Sequence, residues 1–418
     1  MTPAAPSPAL SRATRDAAPT PGRLRPLVLF VCAAFGGIFL SLAFPQLASA
    51  RREIAGLAAL LLLLFAGVAF RDWNAAGRPF ARLDYRPNFR GVVLVQALVQ
   101  GSVYLFWASH QPMALEHLPS LLLQMLFAPL LYLALCMVCR RPFCPGFWLV
   151  AVNFSINFFL WFKIPFLWMQ LGLLLLAILI KMFAVRTDAD GKVAHIFNPS
   201  GIVLSLGSLA ILLFGLDYTA VGSEIVTSFY QTPRFGLFVF AASCVTLWLP
   251  VSYLIPFGAL AFLTLADVVA VKSSGMSLMV LTSNSSIFLG ITLLITDPST
   301  SPKTQQGRLL FGVAYGFSIA FAYGLLMLFH KPSYFDKVLF VPVLNLLAPW
   351  FDKIPSPKLP TLSPTRLRIA LLVAYIAMFG IFYPRFQFHS RGPFLLKAAA
   401  EELAMEKNEL QDSRGGRE

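Results

Sequence analysis

Apolar runs long enough to cross a bilayer recur along this 418-residue chain, and they restrict its fold more than any other feature. A helix needs about 20 apolar residues to cross roughly 30 Å of hydrocarbon. The runs are 27–49, 54–70, 92–109, 119–138, 147–162, 166–184, 200–215, 235–249, 253–271, 277–296, 309–330, 338–351 and 369–384. Because the backbone must satisfy its own hydrogen bonds in hydrocarbon, the sequence predicts an all-α polytopic membrane protein with roughly 10–13 transmembrane helices.

The composition agrees with a membrane protein. Hydrophobic residues make up 57% of the chain, charged residues 12%, and the mean hydropathy is +0.72. A net charge of +14 is compatible with nucleic-acid binding, but the basic residues lie between the apolar runs and indicate membrane topology instead. We therefore predict a lipid bilayer as partner, and no nucleic acid.

The arginines predict that the N-terminus is cytoplasmic. Several precede the first run or follow the second, whereas "HQPMALEH" after the third run contains neither Lys nor Arg. We predict a disordered cytoplasmic tail over 1–25, membrane helices over 26–145, a second membrane region over 146–384, and an amphipathic or disordered tail over 385–418.

Two Asx-Pro-Ser steps lie at the edges of apolar runs, Asn198-Pro199-Ser200 and Asp297-Pro298-Ser299. Proline interrupts a helix and leaves backbone groups to be satisfied. Paired interruptions in membrane segments point to a binding site between repeats. The alternative is that both steps are Asx turns that start loops.

Three ordered motifs resemble the membrane subunits RnfD and NqrB of ion-translocating ferredoxin and quinone oxidoreductases, including shorter relatives near enediyne-type biosynthetic loci. They are "HIFNPS" (195–200), "ITDPSTSPKTQQGRLLFGVAYG" (295–316) and "LFVPVLNLLAPWFD" (339–352). The resemblance covers roughly residues 180–355. The matching residues are Asn198, Pro199, Thr296, Asp297, Pro298, Gly307, Arg308, Asn345, Pro349 and Asp352.

This resemblance implies two inverted helix-bundle repeats with Pro-broken helices, in the inner membrane of a bacterium. It also implies a flavin site, electron transfer alongside ion movement, and other membrane subunits as partners. The candidate residues for binding FMN or riboflavin are His195, Asn198, Pro199, Ser277, Thr296, Asp297 and Ser299.

The chain departs from the family at the covalent flavin motif. Longer members carry FMN on a Thr between the Asn-Pro and Asp-Pro steps, and here the nearest string is "SSGMSLM", with Ser277 in place of the Thr. We therefore expect any flavin to be bound non-covalently. The string is also typical of a tight loop between two spans.

Asp297 and Arg308, two charged residues that match the family's motifs, have roles that their positions in the sequence predict. We expect Asp297 to cap the segment after the break by accepting backbone N–H bonds. We expect Arg308 to anchor the returning chain at the anionic cytoplasmic surface.

Polar side chains within the runs are candidates for an ion pathway, because burying them in hydrocarbon is costly. Asp267 lies in "LTLADVVAV", and Asn153 and Asn157 lie one helical turn apart. Asp267 is equally compatible with an acid near a helix end that reaches water. The asparagines are equally compatible with hydrogen bonds between helices.

Cys136, Cys139 and Cys144 follow a Cys-x2-Cys-x4-Cys spacing. Zinc sites and iron–sulfur clusters usually need four ligands, so reduced cysteines near the membrane surface are favoured, and no metal site is predicted. The sequence contains no soluble catalytic signature, and we predict no catalytic residue. Enzymatic activity is left open, as part of an oxidoreductase complex.

The leading hypothesis is a membrane subunit for electron transfer coupled to ion translocation. One alternative is a transporter or channel-like protein of the same fold without a redox cofactor. Another is a membrane accessory to a biosynthetic pathway.

The arginine distribution yields a test of topology. Reporter fusions at the N-terminus and in the 71–91 loop should both report the cytoplasmic face. Either reporter on the outer face would reverse the predicted orientation of every loop.

Overall fold

The computed structural model describes residues 24–76, 85, 91–187, 193–232, 234–274, 285–355 and 364–390. Within these ranges almost all regular structure is α-helical. The helices are α1 (Leu24–Ser41), α2 (Arg51–Ala76), α3 (Gly91–Ala108), α4 (Pro112–Cys139), α5 (Trp148–Asn157), α6 (Leu167–Phe183), α7 (Pro199–Phe214), α8 (Gly222–Gln231), α9 (Phe235–Trp248), α10 (Leu254–Ser274), α11 (Ser285–Leu289), α12 (Gln305–Leu328), α13 (Val341–Phe351) and α14 (Pro364–Ser390).

The remaining elements are short. A π-helical segment, Gly290–Leu294, continues α11. Strand β1 (Val185–Thr187) pairs antiparallel with β2 (Val193–His195), so part of the polar loop before Asn198 forms a hairpin. The 3₁₀ turns are Pro45–Ala50, Ile164–Phe166, Asp217–Thr219 and Ser333–Phe335.

Seven helical segments in the described ranges are long and apolar enough to cross a membrane, and five shorter apolar helices have 10–17 residues. The predicted all-α polytopic membrane fold is therefore confirmed. The prediction of roughly 10–13 transmembrane helices counts these five short helices as spans. Two of these, α5 and α13, have only 10 and 11 residues and lie in runs that proline interrupts.

Large apolar side chains lie exposed on these helices, as expected of surfaces that lipid covers. Leu40, Leu63, Leu213, Phe214 and Leu328 are each at least 69% exposed. The chain is a multi-pass membrane protein.

The chain divides into two compact units that interleave along the sequence. One comprises Met1–Ala97, Glu116–Asn153 and Phe162–Ile178, and the other comprises Leu98–Leu115, Phe154–Trp161 and Leu179–Glu418. All three motifs that carry the family resemblance lie in the second unit. The boundary predicted between residues 145 and 146 follows sequence features and stays a prediction.

Aromatic side chains form part of the core of the second unit. The ring of Trp107 lies 4.5 Å from that of Phe229, which stacks on Phe235 at 4.5 Å. The Trp107 indole N–H donates to Ser228 Oγ at 3.0 Å, so its one polar atom is satisfied within the apolar cluster. This packing holds α3 against α8 and the start of α9.

Helices α10 and α12 approach closely because glycine lies where they cross. A Cβ on Gly312 would overlap the carbonyl oxygen of Ile255, and one on Gly316 would lie 2.8 Å from the carbonyl oxygen of Ala259. Small residues four apart allow such approach in membranes, where packing rather than the hydrophobic effect drives helix association. The obstructing atoms belong to backbone and cannot rotate away.

We expect Gly312→Ala to lower the thermal unfolding temperature in detergent, because the added methyl group forces α10 and α12 apart. Gly324→Ala in the same helix is the matched control, since a Cβ there meets no atom within 4 Å. That control should be neutral, or stabilising by up to about 1 kcal/mol through helix propensity. Equal unfolding temperatures for wild type and Gly312→Ala would contradict the packing argument.

Candidate functional site

The first Asx-Pro-Ser step forms the start of α7. Asn198 has extended backbone angles (φ −65°, ψ 118°), as a residue before proline should, and Pro199 begins the helix. The Asn198 Oδ1 atom accepts the N–H groups of Ser200 at 3.1 Å and Gly201 at 3.3 Å. The asparagine is therefore a helix N-cap, which satisfies donors that the first turn leaves free.

Asn198 also joins two distant segments. Its Nδ2 donates to the carbonyl oxygen of Leu294 at 2.6 Å, and its backbone N–H donates to Asn345 Oδ1 at 2.9 Å. Asn198 is 6% exposed and Asn345 2% exposed. We name the contact of Asn198, Leu294 and Asn345 the motif junction, because each residue comes from one of the three motif regions or its border.

The π-helical segment ends at the second step, and hydroxyl groups satisfy its last carbonyls. Thr296 Oγ1 donates to the Thr292 carbonyl at 2.6 Å. Ser301 Oγ donates to the carbonyls of Ile295 at 3.0 Å and Asp297 at 2.7 Å. The Ser/Thr cluster therefore supplies donors for carbonyls at this buried helix end.

Asp297 forms an Asx turn in the exposed loop beyond this end. Its Oδ1 accepts the Ser299 backbone N–H at 3.1 Å, and Ser299 Oγ donates to Oδ1 and Oδ2 at 2.9 Å each. Both the Thr296 and Ser299 hydroxyls thus donate within the protein, which leaves their oxygens as acceptors for other groups.

Asp352, at the end of the third motif, holds the loop before α12. Its carboxylate accepts the backbone N–H groups of Lys303 and Thr304, each at 2.8 Å. Thr304 Oγ1 in turn accepts the Gly307 N–H at 3.0 Å and caps α12. The second and third motifs are therefore bound together at two places, the motif junction and this loop.

Arg308 binds backbone carbonyls. Its Nε donates to Pro302 at 3.0 Å, and its Nη1 donates to Pro250 at 3.1 Å and Val251 at 2.8 Å. Val251 has a positive φ of 55°, which is strained for a β-branched residue. The guanidinium fork therefore stabilises the turn between α9 and α10. Its predicted contact with anionic lipid stays a prediction.

The other candidates lie apart from the motif junction's hydrogen bonds. His195 is the last residue of β2, three positions before Asn198. Asp267 on α10 is 2% exposed, and Asn153 and Asn157 on α5 are fully buried. Ser277 lies outside the described residues.

The cysteines differ in their surroundings. Cys136 is buried, Cys139 exposed and Cys144 intermediate. Among the described residues no three His, Cys, Asp or Glu side chains gather in a way that could hold a metal ion.

Sequence reasoning missed a buried ion pair, Asp336–Lys337, whose Nζ and Oδ1 atoms lie 2.5 Å apart. The available signal was two ionisable residues directly before the apolar run 338–351, where burial is costly without a partner. It also missed that Asn345 and Asp352 tie segments together, because motif spacing alone does not identify hydrogen-bond partners.

We expect Asn198→Ala to destabilise the protein by about 2–4 kcal/mol, through loss of the helix cap and an unpaired Leu294 carbonyl. Asn198→Ser keeps a capping oxygen but cannot reach Leu294, so its unfolding temperature should lie between those of wild type and Asn198→Ala. The exposed Thr227→Ala, which removes only a hydrogen bond within α8, should have little effect. If both Asn198 variants unfolded at the wild-type temperature, the motif junction would not contribute to stability and the prediction would be wrong.

Comparison with known proteins supports the resemblance. Residues 208–359 match the model of a family described as NQR2, RnfD, RnfE. The matched stretch contains the second and third motifs and the Asp336–Lys337 pair, whereas Asn198 lies ten residues before it. No curated protein matches the chain. The resemblance to RnfD and NqrB membrane subunits is therefore confirmed across residues 208–359.

Proposed function

We propose that this chain is a membrane subunit of an electron-transfer complex of the Rnf and Nqr kind, which holds a flavin non-covalently beside the motif junction and couples its reduction to ion movement. The single observation that carries the proposal is that the three motifs of the resemblance meet through Asn198, Leu294 and Asn345. The partners are other membrane subunits of such a complex.

An unpaired donor at the junction supports a ligand there. Among the described residues Asn345 Nδ2 is buried and has no hydrogen-bond partner. Its orientation is fixed, because Oδ1 of the same amide accepts the Asn198 N–H. Asn198 is therefore a positioning residue, and Asn345 offers one directed N–H donor.

Unpaired acceptors lie at the start of α12, beside the loop that Asp352 holds. In the described chain neither Gln305 Oε1 nor Gln306 Oε1 has a hydrogen-bond partner. The isoalloxazine ring of a flavin presents both carbonyl acceptors and an N–H donor, so these amide groups match its hydrogen-bonding groups in type. Bound flavin would supply electron transfer in one- or two-electron steps.

Hydrogen bonds within the protein hold these donor and acceptor groups in place before any flavin binds. Asn198 and Asp352 fix the backbone on either side, and the Thr296 and Ser299 oxygens remain acceptors. Such preorganisation reduces the ordering cost of binding. His195 ends β2 three residues before Asn198, and Pro199 follows Asn198 as the first residue of α7.

The test is the visible absorption spectrum of the purified protein after incubation with FMN or riboflavin and removal of free flavin. We expect retained flavin absorbance that denaturation releases, and no fluorescent band after denaturing electrophoresis. Asn345→Leu removes the Nδ2 donor and should weaken retention about 2–10-fold, the cost of one hydrogen bond to the flavin. It also removes the oxygen that accepts the Asn198 N–H, so its unfolding temperature is measured beside retention. Ser205→Ala is the matched control, because it removes a hydrogen bond from α7 to the Leu339 carbonyl but no junction donor.

Two outcomes would contradict this function. A folded, colourless preparation that retains neither flavin would favour a transporter or channel-like protein, or an accessory to a biosynthetic pathway. A fluorescent band that survives denaturation and disappears in Ser277→Ala would show covalent attachment.

A further inference from the structure

Asp336 and Lys337 form an ion pair that is almost fully shielded from solvent. Their side chains are 0% and 2% exposed, and Lys337 Nζ donates to Asp336 Oδ1 at 2.5 Å. The pair follows the 3₁₀ turn Ser333–Phe335 and precedes α13. Removing two charges from water is expensive, and pairing repays it only when the remaining lone pairs and protons are also satisfied.

This pair is only partly satisfied. In the described part of the chain the buried Asp336 Oδ2 has no hydrogen-bond partner. An ammonium carries three donor hydrogens, and the bond to Asp336 uses one of those on Lys337. A partly satisfied buried polar group costs more stability than an apolar replacement, so its presence points to a ligand for the free oxygen.

The surrounding elements bring their backbones close to the pair. Tyr315 on α12 is 1% exposed and donates its hydroxyl to the Lys337 carbonyl at 2.8 Å. A Cβ on Gly290 would lie 2.6 Å from that hydroxyl and 3.6 Å from Lys337 Cβ. Only glycine fits there, so the first residue of the π-helical segment lies directly against the pair, and π-helical turns are frequent at functional sites.

The charged and titratable groups near the pair come from α12, α8 and the two 3₁₀ turns Asp217–Thr219 and Ser333–Phe335. Tyr315 and Tyr323 of α12 interact with the Asp336 charge. The π-helical segment contributes no titratable side chain. From the side of α8, Glu224 and the nearby Asp217 act on Tyr334, where burial first and then these charges raise the pKa of the phenol.

Asp336 itself lies outside the candidate spans. Burial raises the pKa of its carboxyl above the ordinary value, and the Lys337 ammonium opposes that shift. A carboxylate in this balance takes up a proton more readily than one exposed to water.

We propose that the Asp336–Lys337 pair is a proton-loading site. The carboxylate takes one proton from the aqueous solvent, an O–H bond forms at Oδ2, and the charge that faces the Lys337 ammonium is neutralised. A sodium ion at the carboxylate is the competing occupant, and the effect of sodium chloride at constant pH distinguishes it from a proton. Coupling of this proton to flavin reduction rests on the proposed function, whereas proton binding at Asp336 does not.

Infrared difference spectroscopy of the purified full-length protein at a series of pH values tests the site. We expect a pH-dependent carbonyl band of a protonated carboxylic acid that Asp336→Asn removes. Lys337→Met should move its midpoint upward by roughly 1 pH unit or more, because the ammonium that favours the carboxylate is gone. Asp72→Asn is the matched control, since Asp72 is also a 2% exposed carboxylate paired with a neighbouring base, Arg71, at 3.1 Å.

A band unchanged by Asp336→Asn, or a midpoint unchanged by Lys337→Met, would overturn the proposal. So would a band that sodium chloride displaces at constant pH, which would indicate a sodium site. If single variants aggregate, the double variant Asp336→Asn/Lys337→Met removes both charges, should fold, and should lack the band. Flavin retention tests the proposed function and the carbonyl band tests the proton-loading site, so either proposal can fail without the other.

Discussion

A helix that ends inside an apolar protein leaves carbonyl oxygens that need donors, and this structure depends on how those donors are supplied. The Leu294 carbonyl at the end of the π-helical segment accepts from Asn198 Nδ2. The same side chain caps α7, and the Asn198 backbone N–H donates to Asn345 Oδ1, so one residue joins three separate segments. In hydrocarbon such broken helices are tolerated only where protein groups replace water.

The short helices follow from the same constraint. Helices α5 and α13 stop after 10 and 11 residues, too few to cross hydrocarbon unaided. Each ended helix needs partners for its terminal groups. At the end of the π-helical segment the hydroxyls of Thr296 and Ser301 donate to carbonyls, and the Asp297 carboxylate accepts the Ser299 N–H. The polar residues that interrupt the apolar pattern thus support the fold directly. Their free lone pairs and amide hydrogens are what remains for a ligand.

The sequence predicts this architecture as far as local rules extend. Hydrophobic run length predicts the polytopic helical fold, and the Asn198-Pro199 step predicts a helix start, because both depend on neighbours along the chain. It does not reveal that Asn198 binds a carbonyl 96 residues away. Hydropathy also marks 200–215 and 235–249 as apolar runs, but it does not report where a helix ends, and the helices there have 16 and 14 residues.

The Asp336–Lys337 pair illustrates a different limit. Adjacent opposite charges before an apolar run are typical of a solvated loop, and only the packing of α12 and the π-helical segment makes them buried. The widened turn Gly290–Leu294 therefore has both of its ends fixed by other elements. Asn198 holds the Leu294 carbonyl at one end, and the Tyr315 hydroxyl and Lys337 lie against Gly290 at the other. Because the turn is only five residues long, the motif junction and the buried ion pair lie at the two ends of one short, buried segment of backbone.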